Sequence, residues 1–481
     1  MFIISFLRII SILLAIIGVS YLVPISTALV FGEYSVILSF AIPMVSSIVF
    51  MLLMNLPFRK KKINLKTKTT FIIVAGCWIF VSLFGALPLF FSGAIPSFTD
   101  AFFESVSGFS TTGSTILSEI ESLPRSINMW RCETHWLGGM GIVTLTVAIL
   151  PLLGVGGFQL IKAETTGPEK GKVTARITTT AKVLWLIYFA LTFTETIALR
   201  IAGMDWADAI MHSFSTLGTG GFSSRNSSIG SYNSAAIDII ITIFMFLAGI
   251  NFSLFYYIII GKFSDVKNNS EFKAYVGIVL IFAILLSFFI MPVYHNFGTS
   301  LRYSFFQVMA IITTSGYSTA DFLTWPSAAQ FLLFILFFIG GCSGSTGGGV
   351  KVVRWVILFK QIGNETKRML HPHGVFTVRL NGRVGRKDIV LNVAAFMTVY
   401  LILIAVTTLF GCLAKLDLFT AFTGAVTMVG NVGPGFGQLG PSANFGFLPS
   451  FLKWIYCFSM LAGRLELYTM LIFFLPSYWE K

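Results

Sequence analysis

Charged residues are scarce in this chain of 481 residues, where they make up only 11% of the total. Soluble domains carry about 25% charged residues, so the composition excludes an ordinary soluble globular protein. Hydrophobic residues reach 55%, and apolar runs long enough to cross a membrane recur along the whole sequence. Because these runs are continuous rather than alternating, they predict membrane-spanning helices and not a barrel.

Cysteine and carboxylate clusters are also rare. The chain has five cysteines, an odd number, and none stands at metal-ligand spacing, which argues against a disulfide framework or a metal site. It has no long basic tail, although Lys and Arg exceed Asp and Glu by 33 to 20, so nucleic-acid binding is excluded. The apolar run from Phe2 to Phe31 lacks a small-residue cleavage site, and we interpret it as a retained first helix.

Ten apolar segments predict about ten spanning helices and an all-α polytopic membrane protein. These segments are 2–31, 34–57, 71–91, 136–160, 182–203, 235–261, 275–294, 328–358, 389–413 and 449–476. Four alternate loops hold 23 of the 33 Lys and Arg, whereas the opposite loops, counted with the helix ends beside them, hold seven. The positive-inside rule therefore places the basic loops and both termini in the cytoplasm. The four basic loops are 58–68, 162–182, 262–273 and 351–387.

Between the spans lie four short apolar segments that predict re-entrant elements rather than spans. They are 97–110, 206–215, 301–313 and 417–429. The order of helix, re-entrant segment and helix thus occurs four times after a two-helix hairpin. The predicted units are an N-terminal hairpin at 1–68, repeat 1 at 69–175, repeat 2 at 176–270, repeat 3 with a broken second helix and a cytoplasmic loop at 271–388, and repeat 4 at 389–481.

Each short segment ends in a comparable tetrapeptide, at 110–113, 215–218, 313–316 and 430–433. A dehydrated monovalent cation needs replacement oxygens, which rings of backbone carbonyls supply. Successive carbonyls can face one axis only where the backbone reaches positive φ, which glycine does without penalty. We therefore predict a central pore with an ion-binding filter built from the backbone of Thr111, Thr112, Gly113, Thr216, Leu217, Gly218, Thr314, Ser315, Gly316, Asn431, Val432 and Gly433.

With these motifs, the whole chain resembles a Trk-type potassium-translocating subunit of the Trk/Ktr/HKT superfamily. The resemblance implies four helix, pore-loop, helix repeats around one pore, with K⁺ as the bound and transported ion and no organic cofactor. It also implies a bacterial plasma (inner) membrane location, a homodimer, and a cytoplasmic nucleotide-binding regulatory subunit in the form of a TrkA-like ring. Gly113 in the first loop favours potassium over sodium, whereas the fourth loop departs from the pattern because it lacks Thr.

A Gly-rich run interrupts the eighth apolar segment between Gly340 and Gly349. It is no phosphate loop, because no Ser or Thr follows Lys351 and no strand is predicted before it. Two interpretations remain, a break that allows close helix packing and the intramembrane gate that the resemblance implies. The predicted gate residues are Gly344, Ser345, Thr346, Gly347, Gly348, Gly349 and Arg464.

Arg464 is a charge within the last apolar segment, which marks a candidate functional residue. The resemblance places it below the filter, whereas the alternative is a buried ion pair with Glu466 or Glu195. Eleven outward acids either mirror the basic inner face or form an acidic vestibule that concentrates cations. We expect potassium uptake without a catalytic site. Na⁺/K⁺ symport or a mixed K⁺/Na⁺ channel is the alternative, and a membrane enzyme that uses 351–388 is a remote one.

Overall fold

The structure is a computed structural model that describes residues 2–58, 67–141, 177–384 and 388–480. Nearly all ordered elements in these ranges are helices, as the composition predicts. The first three form the N-terminal hairpin, in which Gly32 makes the turn with a φ of 72°. Glu33 in that turn accepts hydrogen bonds from the backbone N atoms of Arg125 (2.6 Å) and Ser126 (3.0 Å), which ties the hairpin to the first repeat. These helices are α1 (Phe2–Ser20), α2 (Leu22–Phe31) and α3 (Tyr34–Asn55).

Four units follow, each with a long helix, a buried short helix and a second helix, which is interrupted in the last three units. In chain order the helices are α4 (Thr67–Phe91), α5 (Phe98–Phe109), α6 (Arg125–Gly139), α7 (Ile177–Ile201), α8 (Trp206–Gly218), α9 (Ala235–Ala248), α10 (Phe252–Ile259), α11 (Phe263–Lys267), α12 (Ser270–Tyr294), α13 (Phe297–Ile312), α14 (Ser327–Leu336), α15 (Val352–Leu370), α16 (Ile389–Leu413), α17 (Leu418–Gly430), α18 (Ser450–Arg464), α19 (Tyr468–Leu471) and α20 (Pro476–Trp479). We call α5, α8, α13 and α17 the re-entrant helices.

Each re-entrant helix begins at a polar capping residue. Ser97, Asp205, Asn296 and Asp417 all adopt an extended conformation, and their side chains accept hydrogen bonds from first-turn amides. These residue types are the preferred N-caps because their oxygen atoms satisfy otherwise unpaired N–H groups. Hydrogen bonds from Thr420 lower the pKa of Asp417, so this cap stays ionised.

The re-entrant helices coincide closely with the predicted short segments. The third begins four residues earlier than expected, at Phe297, and the second continues three residues further, to Gly218. This extension of the second helix decides the register of the candidate site.

Six continuous helices in the described ranges are long and apolar enough to span a membrane, and two bent pairs raise the number to eight. The bends are 91° between α9 and α10 and 119° after α18. These eight correspond to eight of the ten predicted spans. Of the other two, 328–358 is split by a non-helical stretch between α14 and α15, and most of 136–160 lies outside the described residues.

A small hairpin forms between α15 and α16, where the sequence predicted a cytoplasmic loop. Strands β1 (Arg379–Leu380) and β2 (Arg383–Val384) pair antiparallel, with Leu380 opposite Arg383. The turn residues Asn381 and Gly382 have φ values of 51° and 77°, as expected for an Asn-Gly turn. A buried cluster packs this hairpin against α15 and α16, and its members are Val353, Ile357, Val378, Leu380, Ile389 and Val393.

Candidate functional site

All four re-entrant helices end in the same backbone conformation. A non-glycine residue with positive φ closes the helix, and a glycine with positive φ comes two residues later. A positive φ is rare for threonine, which is β-branched. Its recurrence at the same position of three repeats therefore indicates a backbone conformation that the surrounding structure imposes. The pairs are Thr111 (56°) and Gly113 (78°), Thr219 (55°) and Gly221 (80°), Thr314 (58°) and Gly316 (69°), and Asn431 (53°) and Gly433 (103°). We call 111–113, 219–221, 314–316 and 431–433 the ring segments.

The ring segments form a closed circle. A Cβ atom added to any of the four glycines would overlap the carbonyl oxygen of the next segment around the circle. The contacts, from glycine to carbonyl oxygen, run from Gly113 to Gly220, from Gly221 to Ser315, from Gly316 to Val432 and from Gly433 to Thr112. The four repeats therefore meet in chain order around one centre, and the last returns to the first.

This circle presents backbone oxygen atoms where the four repeats converge. Its carbonyls come from Thr112, Gly220, Ser315 and Val432, each immediately before a ring glycine. Rings of backbone carbonyls can replace the hydration shell of a monovalent cation. The arrangement is chemically suited to hold a dehydrated cation without any ionised ligand.

In the second repeat, the register predicted from the sequence is wrong by three residues. Thr216, Leu217 and Gly218 were assigned to the ring, but all three belong to α8. The Thr216 hydroxyl donates to the carbonyl of His212 (2.8 Å), as in a regular helix. The chain leaves the helix only at Thr219, which adopts the left-handed conformation.

Gly218 has a packing role instead. A Cβ atom there would lie 2.5 Å from the carbonyl oxygen of His135, so α8 and α6 touch through their backbones. Gly221 takes the ring position, three residues later. The signal was present in the sequence as Thr219-Gly220-Gly221, but the preceding Thr-Leu-Gly matched the other repeats equally well.

Hydroxyl groups hold the ring segments of two repeats. The side chains of Ser110 and Thr112 are 2.7 Å apart, and those of Thr313 and Ser315 are 2.9 Å apart. Both pairs are buried, so each hydroxyl forms its hydrogen bond with the protein rather than with water. These bonds fix the ring segment against the end of its own re-entrant helix.

Side chains also close the seam between the fourth and first repeats. The Ser114 hydroxyl donates to the carbonyl of Gly433 (2.9 Å). The Asn431 amide donates to the hydroxyl of Thr112 (2.9 Å) and to the carbonyl of Met460 (2.9 Å). Asn431 thus substitutes for the threonine of the other repeats and adds a link that threonine could not make.

A buried ion pair braces the chain where it leaves the ring. Arg131 and Glu104 lie 2.8 Å apart, with side chains 1% and 0% exposed. Glu104 also accepts from the hydroxyl of Thr115 (2.9 Å) and from the amide of Ile116 (3.0 Å), while Arg131 lies over the ring of Phe222 (4.4 Å). The pair lies in repeat 1 and reaches repeat 2 through Phe222, and sequence reasoning did not identify it.

A cavity of about 120 Å³ is lined by all four ring glycines and by residues that follow the ring segments. Its charged lining residues are Arg131 and Arg225, and no carboxylate of the described residues lines it. Five of the eleven outward acids instead form ion pairs, which are Asp100–Lys453, Glu104–Arg131, Asp205–Arg125, Asp208–Arg225 and Asp238–Arg302. The lining of this cavity therefore gives no support to an acidic vestibule.

The Gly-rich segment, residues 340–349, lies against the ends of the third and fourth re-entrant helices. The amide of Gly348 donates to the hydroxyl of Thr314 (2.7 Å). A Cβ atom at Gly347 would lie 2.9 Å from the carbonyl oxygen of Thr313, and one at Gly348 would lie 2.8 Å from that of Gly430. The segment thus faces the side of the ring where the re-entrant helices end, whereas the cavity lies beyond the ring glycines.

Arg464 joins the Gly-rich segment to the first repeat. Its guanidinium donates to the carbonyl of Thr346 (2.8 Å) and to those of Gly138 (2.6 Å) and Gly139 (2.9 Å) at the end of α6. Arg464 is the last residue of α18, at the 119° bend, and not the middle of a straight helix as the sequence suggested. Glu466, one proposed ion-pair partner, pairs instead with Arg354.

Comparison with known proteins shows which proteins share this architecture. The model of the TrkH family, described as cation transport protein, matches residues 37–294 and 278–481. The Trk system potassium uptake protein TrkH of Halomonas elongata is 41% identical over 483 residues and covers 99% of both chains. The protein of the same name from Salmonella typhimurium is 42% identical over 430 residues, which are 88% of this chain and 89% of that protein.

A solved structure agrees with the fold. The crystal structure of the potassium transporter TrkH from Vibrio parahaemolyticus superimposes with a TM-score of 0.87, at 34% sequence identity and with complete coverage of both chains. Sequence, family model and fold agree along the whole length, and the chain belongs to the TrkH family of cation transport proteins.

Proposed function

We propose that this protein takes up potassium ions across the bacterial plasma membrane through the closed ring of four backbone carbonyls. That ring is the observation that carries the proposal, because it offers oxygen ligands from four sides and no ionised side chain. The names of the relatives, which are potassium uptake proteins, support a transporter rather than an enzyme.

The K⁺ ligands in this proposal are the backbone oxygens of the four ring segments. The filter consists of Thr111, Thr112 and Gly113, of Thr314, Ser315 and Gly316, and of Asn431, Val432 and Gly433, as in the sequence interpretation. In the second repeat it consists of Thr219, Gly220 and Gly221, because these residues have the conformation of the other three segments.

The direction of the re-entrant helices adds to the attraction. Each helix is capped at its N-terminus and ends at the ring, so four C-terminal ends converge on the proposed ion path. Each end carries about half a negative charge. This contribution is fixed in the backbone and needs no carboxylate, in keeping with the neutral and basic lining of the cavity.

The Gly-rich segment is the proposed gate, comprising Gly344, Ser345, Thr346, Gly347, Gly348 and Gly349 together with Arg464. Two observations support this role over simple packing. The segment lies against the ends of two re-entrant helices, and the charge of Arg464 reaches the Thr346 carbonyl from another repeat. Side-chain contacts from Thr314 and Arg464 hold the segment in this position, so we expect their release to let it move.

We propose the membrane orientation and the partners of the protein from its family and from the distribution of its charged residues. We place both termini and the four basic loops in the cytoplasm, and the units 1–68, 69–175, 176–270, 271–388 and 389–481 remain the proposed division of the chain. The proposed assembly is a homodimer with a cytoplasmic nucleotide-binding regulatory subunit, a TrkA-like ring. The name of the relatives, a Trk system protein, supports a system of more than one component.

The test is radiotracer uptake of ⁸⁶Rb⁺ into proteoliposomes that contain the purified protein. We expect uptake that excess K⁺ suppresses strongly and excess Na⁺ only weakly. Liposomes without protein give the background. Equal suppression by both ions would favour a mixed K⁺/Na⁺ channel, and uptake that requires Na⁺ would favour Na⁺/K⁺ symport.

A further inference from the structure

One buried carboxylate joins a residue within the Gly-rich segment to a residue just beyond its end. Glu271 lies in the first turn of α12 and is only 8% exposed. Its Oε1 atom accepts hydrogen bonds from the backbone amides of Ser343 (2.6 Å) and Val353 (3.1 Å). These two amides stand on either side of residues 344–352, so a single oxygen atom holds the two ends of that stretch together.

Backbone bonds complete the base of the segment. The amide of Gly340 donates to the carbonyl of Val350 (2.8 Å), and that of Val352 donates to the carbonyl of Gly341 (3.2 Å). The segment is therefore a loop with a closed base and a tip. Arg464 contacts the tip at Thr346, whereas Glu271 contacts the base.

Two hydrogen bonds, which we call the clasp, join Ser270, the residue before Glu271, to the cytoplasmic hairpin of β1 and β2. The amide of Ser270 donates to the side chain of Asn381 (2.8 Å), and the amide of Asn381 donates to the hydroxyl of Ser270 (3.3 Å). Asn381 occupies the turn between β1 and β2, and the hairpin packs on α15 and α16 through a buried apolar cluster. A continuous path of named contacts thus leads from an exposed cytoplasmic turn to the base of the Gly-rich segment.

We propose that Glu271 is the positioning residue of the Gly-rich segment, and that the clasp between Asn381 and Ser270 transmits movement of the cytoplasmic hairpin to it. The inference rests on the proposed gating function of that segment. It adds the residue that sets the resting position of the gate and the surface element whose displacement alters that position. A charged acceptor makes stronger hydrogen bonds than a neutral one, which explains why a carboxylate is kept in so buried a place.

Cys342 provides a readout that does not depend on ion flux. It precedes Ser343, is a free thiol and is only 1% exposed. In a background in which the other four cysteines are replaced by serine or alanine, its rate of modification by a small charged thiol reagent reports release of the loop base. The replaced residues are Cys77, Cys132, Cys412 and Cys457.

We expect Glu271→Gln to raise the modification rate of Cys342 and Glu271→Ala to raise it further, by about tenfold, because the alanine leaves both amides without an acceptor. The matched control is Glu365→Gln, which removes a carboxylate on the exposed face of α15, where it pairs with Arg368. Asn381→Gly keeps the positive φ and leaves Glu271 in place, and it should raise the rate less than Glu271→Ala does.

The same variants are then tested for ⁸⁶Rb⁺ flux beside Arg464→Ala. Higher flux together with faster Cys342 modification is the expected result. An unchanged modification rate in both Glu271 variants would overturn the positioning role, and an unchanged rate in Asn381→Gly would overturn the route through the hairpin. If Arg464→Ala raises the flux but Glu271→Ala does not, the inference about Glu271 fails and the proposed gate is retained. If neither variant raises the flux although Cys342 is modified faster, the proposed gating function itself fails.

If Glu271→Ala does not yield folded protein, Glu271→Gln and Asn381→Gly still decide the question. Folding is checked by size-exclusion chromatography in detergent before reconstitution. The glutamine keeps one oxygen acceptor and nearly the same volume, so its effect reports the lost charge rather than a cavity.

Discussion

Glycine is required at each ring position for two separate reasons. The backbone adopts a positive φ, and the space where a side chain would begin is filled by the carbonyl oxygen of the neighbouring repeat. At two other positions the two requirements occur separately. Gly93 has a φ of 72° but has open space around its Cα, whereas helical Gly218 is restricted by its contact with His135 alone.

We therefore predict that Gly113→Ser and Gly221→Ser each lower the K⁺ over Na⁺ permeability ratio by about tenfold, since a side chain in left-handed backbone costs about 1–2 kcal/mol and also displaces the next carbonyl. The ratio is measured from ⁸⁶Rb⁺ and ²²Na⁺ uptake in proteoliposomes. Gly93→Ser is the matched control, because it carries the same φ strain in open space and should leave the ratio unchanged. An unaltered ratio in both ring variants would reject the filter.

The ring shows which residues sequence reasoning can place. The segments ending at Gly113, Gly316 and Gly433 were found because each closes its helix directly at the motif. The second was placed three residues early because a helix end depends on tertiary contacts that a motif does not contain. Here α8 continues through Gly218, where the backbone of α6 requires a glycine for a different reason.

For Arg464→Ala we expect faster K⁺ flux, by several-fold, with the preference among ions unchanged. The substitution removes a fixed positive charge near the Gly-rich segment and the bonds that hold Thr346, but it touches no ring carbonyl. Initial rates of ⁸⁶Rb⁺ uptake and Na⁺ competition measure the two effects separately.

Arg200→Ala serves as a control for the arginine, because its guanidinium donates to the nearby carbonyl of Met204 (2.8 Å). A misfolded Arg464→Ala protein that is rescued by neutralising Glu195 would contradict the gating role. It would show that Arg464 belongs to a structural ion pair.

At the scale of elements, the interruptions of the second helices were predicted unevenly. The Gly-rich run predicted the break between α14 and α15, because glycine is unfavourable in the interior of a helix. The bend of 91° after α9 and that of 119° after α18 were not predicted, although Arg464 and Glu466 flank the second of them. Hydropathy reflects how favourably a segment enters a membrane, and it carries little information on where a helix bends.

Shortening the Gly-rich segment by two residues within Gly344–Gly349 should raise K⁺ flux by several-fold. A loop that obstructs a path needs its length to reach the third and fourth re-entrant helices, whose ends it now contacts through Gly347 and Gly348. Flux is measured as ⁸⁶Rb⁺ uptake at equal amounts of reconstituted protein. Flux that stops while the amount of protein in the membrane stays normal would favour the packing interpretation.

At the scale of the whole molecule, four unlike repeats of one chain perform the task of four subunits. The first two repeats exit the ring through carboxylate networks around Glu104 and Asp208, whereas the third uses Gln307, which donates to the carbonyl of Ala320 (3.2 Å). A symmetric pore could not vary these supports one at a time. The overall repeat was predictable from spacing, but these differences came only from the structure.

The cytoplasmic face is where we expect the regulatory subunit to bind. Lys367 and Arg368 lie in the last turn of α15, and the side chain of Arg368 is 48% exposed. We predict that Lys367→Glu with Arg368→Glu weakens co-purification with the TrkA-like subunit by about tenfold, because like charges then oppose each other across the interface. The selectivity of the filter should not change.

Lys262→Glu is the control for this pair of substitutions, since it reverses a charge in another basic loop of the same face. Co-purification that is insensitive to charge reversal in both 162–182 and 351–387 would count against docking on these loops.

The seam between the fourth and first repeats also has a consequence for biosynthesis. The bonds from Ser114 to Gly433 and from Asn431 to Thr112 join residues 319 positions apart. A ribosome adds these partners at opposite ends of translation, so the circle of carbonyls stays open until the final repeat has entered the bilayer. An unfinished chain therefore lacks the carbonyl of Val432 and cannot close the ring of carbonyls.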